Sequence, residues 1–362
     1  MLSHAWVASF VEHNIEPGQT WRCFFAYAGD DLIGVLPVIK GRQWIMGARL
    51  HAPVDAHTRS GYALVRAGAE HRALSAMLGA LEDAEPAYLR LLLRGIRDGA
   101  PILSAGGARG VRVSTMPAAM WSGSARGSFL PVQGSYDKYE KGLPSNFRRN
   151  LRKARNRCER AHDTVYQFYT GVDAGASELF TKFLELEASG WKGTAGTAIQ
   201  CTPQRVDFYA ALTQRLSEMG WLEWHLLELD GAPAAGHLAI RFGRAIVLYK
   251  IAYDEKYARL GPGSLLFRET VSRAFATEGL DEVNCLTDRS WHRNWLMSSA
   301  DYSDMVITRD RPLPALTSYL EIKAPLLARR AQAAPGLAAL RTRLATVRGI
   351  SQPRVEDDDG GR

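Results

Sequence analysis

The stretch Leu248–Phe275, LYKIAYDEKYARLGPGSLLFRETVSRAF, decides how this chain is read. Residues from Ile246 to Ala252 form a strand-like run whose alternate side chains face opposite sides of a sheet. A polar connection from Asp254 to Arg259 follows, and then Gly261-Pro262-Gly263-Ser264. Beyond Ser264, the residues Leu265, Leu266, Val271, Ala274 and Phe275 recur at helical spacing, with Arg268, Glu269, Arg273 and Glu278 on the other side. Pro262 suits a first helical turn, where its missing N–H costs nothing. Gly261 and Gly263 let backbone come close to a ligand. Free N–H groups at such a helix start form an anion site, and a pyrophosphate is the usual occupant. The other reading is a plain tight turn into a core helix, and glycine spacing alone does not choose between them.

Two more segments read with this one: LPSNFRRNLRKARNRCE (143–159) and SGWKGTAGTAI (189–199). Together with LYKIAYDEKY (248–257) and GPGSLL (261–266), they resemble the coenzyme A segment and flanking signatures of the GNAT acyltransferase fold. More narrowly, residues 20–308 resemble the CelD/BcsL (cellulose-biosynthesis-type) acetyltransferases, relatives of the FemAB peptidoglycan aminoacyltransferases. The resemblance implies an α/β (α+β) fold of tandem GNAT-like lobes, each a mixed sheet flanked by helices; beyond it, the Ala-, Leu- and Arg-rich composition of 312–350 reads as a helical C-terminal tail. It implies acetyl- or acyl-coenzyme A as co-substrate, bound at Arg259, Gly261, Pro262, Gly263 and Ser264. The acceptor it implies is an amine or hydroxyl of a small molecule, or of a glycan- or lipid-linked group, in polysaccharide, glycolipid or related metabolite synthesis. One departure stands out. The common GNAT loop, Gln/Arg-x-x-Gly-x-Gly/Ala, puts its basic residue at Ala258, and here Arg259 sits one place late.

A chain of 362 residues can bury a large core and form two domains. Cys23, Cys158, Cys201 and Cys285 stand far apart with no CxxC pair, so neither a metal site nor a disulfide framework is expected, and a reducing compartment fits. The N-terminus lacks the pattern of a signal peptide, and no apolar run reaches the ~18 residues of a membrane span. The expectation is a cytoplasmic protein with peripheral membrane contact left open. The net charge of +7 admits nucleic acid, anionic lipid or a phosphate-bearing substrate.

Residues 20–40 read as two strands around Gly29-Asp30-Asp31, and the pattern returns at 224–241 around Gly231-Ala232-Pro233. Gly29 matches Gly231, Gly34 matches Gly236 and Leu36 matches Leu238 at one offset; unrelated hairpins also produce so short a match, and a tandem duplication of one α/β unit is what the resemblance to the Fem-like family implies. The expected organisation is an N-terminal lobe at 1–140, a C-terminal lobe with the acyl-coenzyme A site at 141–310, and a tail at 311–362. In the first lobe a helix is expected from Glu70 to Leu81 and a strand from Ala87 to Leu93. Asp55 and His57 lie in a loop that either contacts acceptor or is simply solvated.

Nine basic residues crowd Lys138 to Arg160, with Ser145 as a helix N-cap and Leu151, Ala154 and Cys158 as a narrow apolar stripe. This segment is a solvated face, a phosphate site or a nucleic-acid footprint; it lacks the interleaved aromatics of a general nucleic-acid binder. Residues 178–220 read as two helices around a glycine-rich connection holding Trp191 and Lys192, which is either a wall over acceptor or acyl donor or a segment held by structural packing of Trp191.

Acyl transfer requires a held diphosphate, a polarised thioester, a base for the acceptor and an acid for the leaving thiolate. Candidates for the base are His237, Asp254 and Asp288, with Tyr253 or Tyr302 as the acid. Lys250, a charge inside an apolar run, calls for Asp254, Asp288 or a bound anion as partner. Lys250 and Asp254 are thereby expected to line the cleft between the lobes. Two rival functions remain: a Fem-like transferase using aminoacyl-tRNA, with the basic segment as its tRNA footprint, and a non-enzymatic accessory protein of a biosynthetic complex.

Overall fold

The computed structural model describes residues 3–41, 47–54, 60–106, 110–118, 125–175 and 177–310; the side chains of Val172 and Trp191 lie outside that description. Asp55, His57 and the expected tail at 311–362 also lie outside the described residues. In chain order the elements are α1 (His4–His13), β1 (Thr20–Ala28), β2 (Asp31–Lys40), β3 (Ala48–His51), β4 (Leu64–Val65), α2 (Glu70–Ala84), β5 (Tyr88–Arg97), β6 (Val111–Pro117) and β7 (Arg126–Pro131). There follow α3 (Tyr136–Gly142), α4 (Ser145–Ala161), β8 (Thr164–Thr170), α5 (Ser177–Ser189), α6 (Trp191–Thr194), α7 (Pro203–Glu218), β9 (Leu222–Leu229) and β10 (Ala232–Phe242). The series ends with β11 (Ala245–Tyr253), α8 (Pro262–Ala276), β12 (Glu282–Asn284) and β13 (Ser298–Arg309). Short 3-10 turns at Glu255–Leu260 and Ser290–Trp295 precede α8 and β13.

One compact unit comprises Met1–Pro17, Pro53–Gly61 and Pro117–Ser303. Its strands run in the order β7-β12-β11-β10-β9-β8. From β8 to β11 each neighbour is antiparallel, whereas β11 and β12 are parallel. A parallel pair needs a crossover, and α8 supplies it. Ala235 packs with Leu265 and Leu266 of α8. Its neighbour Gly236 faces α5, where a Cβ would meet Leu186 Cδ2 at 2.9 Å. Adjacent strand residues point to opposite sides, so helices cover both faces of this sheet. That is why β9 is buried along its whole length.

Leu265, Leu266, Phe267 and Val271 of α8 are each at most 2% exposed, and burial of such side chains contributes about 1.5–3 kcal/mol apiece. Helix α4 lays Ala154 and Cys158 on the same cluster. Its first residue is Ser145 with Pro144 at the cap, so Ser145 is not the N-cap expected from sequence: it already has helical backbone and caps nothing. Helix α1 joins this unit through Trp6, whose ring meets Phe208 at 5.1 Å and whose indole N–H donates to Pro53 O at 2.9 Å.

The second unit comprises Gly18–Ala52, Tyr62–Met116 and the chain from Asp304. Here β1, β2 and β3 are antiparallel neighbours, and β3 and β5 are parallel. Helix α2 lies between β3 and β5 in sequence and buries Ala73, Leu74, Met77, Leu78 and Leu81. Each unit thus holds a hairpin, a third antiparallel strand, a helix and a parallel strand, in that order. The two units are not contiguous in sequence, unlike the lobes expected at 1–140 and 141–310. β7 pairs with β12 in the first unit, and the Asp304–Arg309 end of β13 belongs to the second. Gly34 meets α2 (Ala73 Cβ at 2.9 Å from an ideal Cβ) whereas Gly236 meets α5, so the two aligned glycines answer to different helices.

All four cysteines are free thiols, Cys158 and Cys285 buried. No helix among the described residues is long and apolar enough to cross a membrane. No group of His, Cys, Asp or Glu side chains among them is placed to hold a metal ion.

Candidate active site

The pairing of β11 with β12 covers Ala245 to Val247 and stops at Asn284. Beyond Val247, β11 continues for six residues to Tyr253 without its parallel neighbour. Ligands of α/β sheets sit at the carboxyl ends of parallel strands, and this parting is such a place. A bulge lies at the same point. Leu238 pairs with Lys250 and Ala239 with Leu248, so Tyr249 is an extra residue in β11. Bulges re-aim side chains, and this one turns both Tyr249 and Lys250 toward Tyr209. The Tyr209 and Tyr249 rings are 6.1 Å apart, and the Lys250 ammonium lies 5.3 Å from the Tyr209 ring centre.

The chain then passes through the 3-10 turn Glu255–Leu260 into α8. Asp254 starts the turn, accepting from Lys256 N at 3.0 Å and pairing with Lys256 Nζ at 2.9 Å. Gly261 ends it in the left-handed region (φ 66°), a conformation that favours glycine. Pro262 follows as the first helical residue and is buried. Leu265 N already donates to Gly261 O at 3.1 Å. Pro262 has no N–H, so Gly263 and Ser264 supply the open donors of the first turn. A Cβ on Gly263 would meet only Tyr253 Cδ1, at 3.8 Å, so space above this backbone is free. Arg259 and Ser264 are exposed and Tyr253 is half-buried beside Gly263.

The glycine-rich connection after α5 is tied down. Lys192 Nζ donates to Glu187 Oε1 at 3.0 Å and to Ile251 O at 2.9 Å, in the part of β11 beyond its pairing with β12. The other Glu187 oxygen accepts from Ile199 N at 2.8 Å, and the Glu187 side chain is 1% exposed. Lys192 is therefore a clamp between α5, its loop and β11. Trp191 lies in α6, but its side chain is outside the described residues.

His237 lies inside, between the sheet and α8. Thr270 Oγ1 sits 3.4 Å from His237 Nδ1 and 3.1 Å from His225 Nδ1, and His225 Nε2 contacts Glu223 Oε2 at 3.0 Å. Burial, and then His225, hold the His237 pKa well below the usual histidine value. Burial is the largest influence on Glu223 and raises its pKa, but the His225 hydrogen bond and the charges of His225, Arg241 and Arg273 together outweigh it, leaving the carboxyl below its usual value. The pairings proposed from sequence for Lys250 come out differently: Asp254 is engaged by Lys256, and Asp288 accepts from buried Ser128 Oγ at 3.1 Å. Tyr302 is half-buried, its ring close to Gly127.

Sequence reasoning passed over His292, in the 3-10 turn Ser290–Trp295. Its signal was faint: one imidazole in the aromatic run SWHRNW. The residue is 2% exposed. Burial, opposed by Asp288 and assisted by Arg289, brings its pKa down to about 4. Neighbouring Trp295 is buried against Phe267 and Phe147, with ring centres at 4.7 and 5.0 Å, while Arg293 is exposed.

These buried imidazoles predict an acid-sensitive fold. The unfolded His292 takes a proton near pH 6.5 and the folded one near 4, so stability rises with pH across that window. Stability is full above about 6.5 and declines as pH falls toward about 4. Urea unfolding at about pH 5 should give a free energy lower by about 2 kcal/mol than at pH 7 from His292 alone, with His237 adding to the slope. His237→Phe should flatten that slope; a stability equal at the two pH values in wild type would refute the assignment.

Helix α4 concentrates charge. It carries seven Lys and Arg residues against one acid, Glu159, in a chain whose net charge is +7. Leu151, Ala154 and Cys158 are buried, so the basic side chains occupy the opposite face. Arg155 pairs with Glu159 at 2.6 Å; Arg152, Lys153, Arg157 and Arg160 are exposed without such a partner among the described residues. An open depression at the far end of α4 is lined by Glu159, Asp163 and Asp230 as well as Arg160 and His162, and its carboxylates disfavour a diphosphate.

Residues 145–293, from the start of α4 to Arg293, match the family model described as an acetyltransferase (GNAT) domain. No curated protein matches the chain by sequence. Among solved structures, FemX superposes with a TM-score of 0.60 at 12% identity, covering 87% of this chain and 94% of its own. The C-terminal domain (DUF2156) of a putative lysylphosphatidylglycerol synthetase from Agrobacterium fabrum gives 0.51 at 10% identity, covering 88% and 95%. A conserved protein of unknown function from Bacteroides thetaiotaomicron gives 0.50 at 14% identity, covering 84% and 90%. At such identities the superpositions speak for the fold. Residues 145–293 thus match an acetyltransferase (GNAT) domain model and take a GNAT-like fold, with the parted strands β11 and β12 and the amino end of α8 as the candidate active site.

Proposed function

We propose that this protein is an acyl-coenzyme A-dependent transferase of the CelD/BcsL type, passing an acetyl or acyl group to an amine or hydroxyl in a polysaccharide, glycolipid or related metabolite. The observation that carries the donor is the pair of open N–H groups at Gly263 and Ser264, beside the point where β11 leaves β12. Two backbone donors at a helix start suit a diphosphate, and the empty space over Gly263 lets it approach. Exposed Arg259 adds positive charge one turn away. The extended arm of the donor would run along β11 from Leu248 to Tyr253, beyond its pairing with β12. The thioester, once bound, supplies an activated carbonyl. Tyr253, beside Gly263, is the side chain placed to protonate a leaving thiolate. The acceptor class rests on the family resemblance alone.

One observation favours a second reading. The basic face of α4 matches what an aminoacyl-tRNA-dependent transferase needs, and FemX shares the fold. Calorimetric titration separates the two. Micromolar binding of acetyl-coenzyme A by wild type supports the first. Tight tRNA binding with a steep salt dependence supports the second, and Arg152→Glu with Arg157→Glu should then lower the slope of log K against log salt by roughly 1–2. Binding of neither ligand leaves an accessory protein with a transferase fold.

A further inference from the structure

Apart from the donors at Gly263 and Ser264, the domain holds a buried side-chain donor without a partner among the described residues. His292 Nδ1 accepts from Arg289 N at 3.1 Å. A ring nitrogen that accepts carries the lone pair, so the proton of the neutral imidazole is on Nε2. Nε2 is shielded from solvent and has no hydrogen-bond partner among the described residues. Such a group costs about 1–3 kcal/mol unless something else satisfies it. Its place in the fold is informative. The turn Ser290–Trp295 follows β12, whose carboxyl end borders the parting from β11. It packs on α8 through Phe267, whose ring centre lies 5.3 Å from Trp291 and 4.7 Å from Trp295. Phe267 lies four residues, or about 6 Å, along α8 from Gly263.

Chemistry narrows what Nε2–H can do. In this tautomer it has no free lone pair, so it is no general base. Being uncharged among aromatic rings, it is no phosphate clamp. What remains is donation to an uncharged oxygen that gains negative charge during reaction. We infer that His292 Nε2–H donates a hydrogen bond to the carbonyl oxygen of the transferred acyl group. This rests on the acyl-donor assignment above. Half-buried Trp291 lies against the imidazole, its ring centre 4.1 Å from that of His292.

Free coenzyme A lacks the acyl carbonyl, so the comparison of acetyl-coenzyme A with coenzyme A isolates this contact. Calorimetry on the full chain should show wild type preferring acetyl-coenzyme A by roughly 3–10-fold, the value of one neutral hydrogen bond. His292→Phe should abolish that preference while leaving coenzyme A affinity unchanged, and His292→Gln, which keeps an N–H, should retain part of it. If His292→Phe does not fold, wild type labelled with ¹⁵N-histidine decides. Its Nε2–H resonance should shift with acetyl-coenzyme A and stay in place with coenzyme A. Wild type that binds neither molecule overturns the donor assignment and this inference together. Binding of both with equal affinity, an unmoved resonance, or equal weakening of both ligands by the variants overturns this inference alone.

Discussion

Gly263→Val is expected to keep the fold and to lose about 100-fold in affinity for acetyl-coenzyme A. The side chain enters open space, with Tyr253 Cδ1 at 3.8 Å from an ideal Cβ, an ordinary contact. Gly263 is absent from the positive-φ residues, so valine there meets no left-handed strain. Valine is also a slightly better helix former than glycine. The loss falls on the ligand. Shielding of two charge-assisted hydrogen bonds at about 1.5 kcal/mol each gives about 3 kcal/mol, or roughly 100-fold. The helix dipole contributes only ~0.3–1 kcal/mol, so raising the salt should change the ratio little. Titration at two salt concentrations, with circular dichroism as the fold control, checks this. A folded variant that binds as tightly as wild type would reduce the Gly-Pro-Gly segment to a turn. Gly261→Val makes the contrast, because at φ 66° it imposes strain of about 1–3 kcal/mol on the fold itself.

Lys192→Met should destabilise the protein by about 3 kcal/mol. Glu187 is 1% exposed at its side chain, and Lys192, at 22%, is its charged partner. Removing one member of a buried pair leaves the other as an uncompensated charge, which costs about 3–5 kcal/mol. Ile199 N–H, at 2.8 Å, offsets only part of that. Glu187→Gln combined with Lys192→Met should recover most of the loss, since no buried charge then remains. Urea unfolding of both singles and the double at neutral pH measures the coupling. If the Lys192 single variant is as stable as wild type, the clamp is not structural. A stable variant with impaired acceptor use would restore the substrate role expected from sequence.

Much of the frame was legible in the chain itself. The hairpins β1–β2 and β9–β10, the span of α2 from Glu70 and the run from β11 into α8 all follow from local periodicity and turn residues. Leu151, Ala154 and Cys158 formed the buried stripe their spacing predicted. These are short-range properties, set within one or two turns of helix or one pair of strands.

Tertiary structure alone decided the rest. Nothing local in Arg126–Pro131 announces pairing with Glu282–Asn284, because a contact across 150 residues leaves no periodic trace. The bulge at Tyr249 is one residue long, yet it shifts strand parity and carries Lys250 to within 5.3 Å of the Tyr209 ring centre. His237 and His292 are both titratable letters in the sequence. Whether each stays neutral depends on burial, and whether its hydrogen bonds are filled depends on groups brought from Thr270 and Arg289. Residue type determines which chemistry a side chain can do. Its solvent exposure and partners, fixed only when distant segments pack, determine which of those it does.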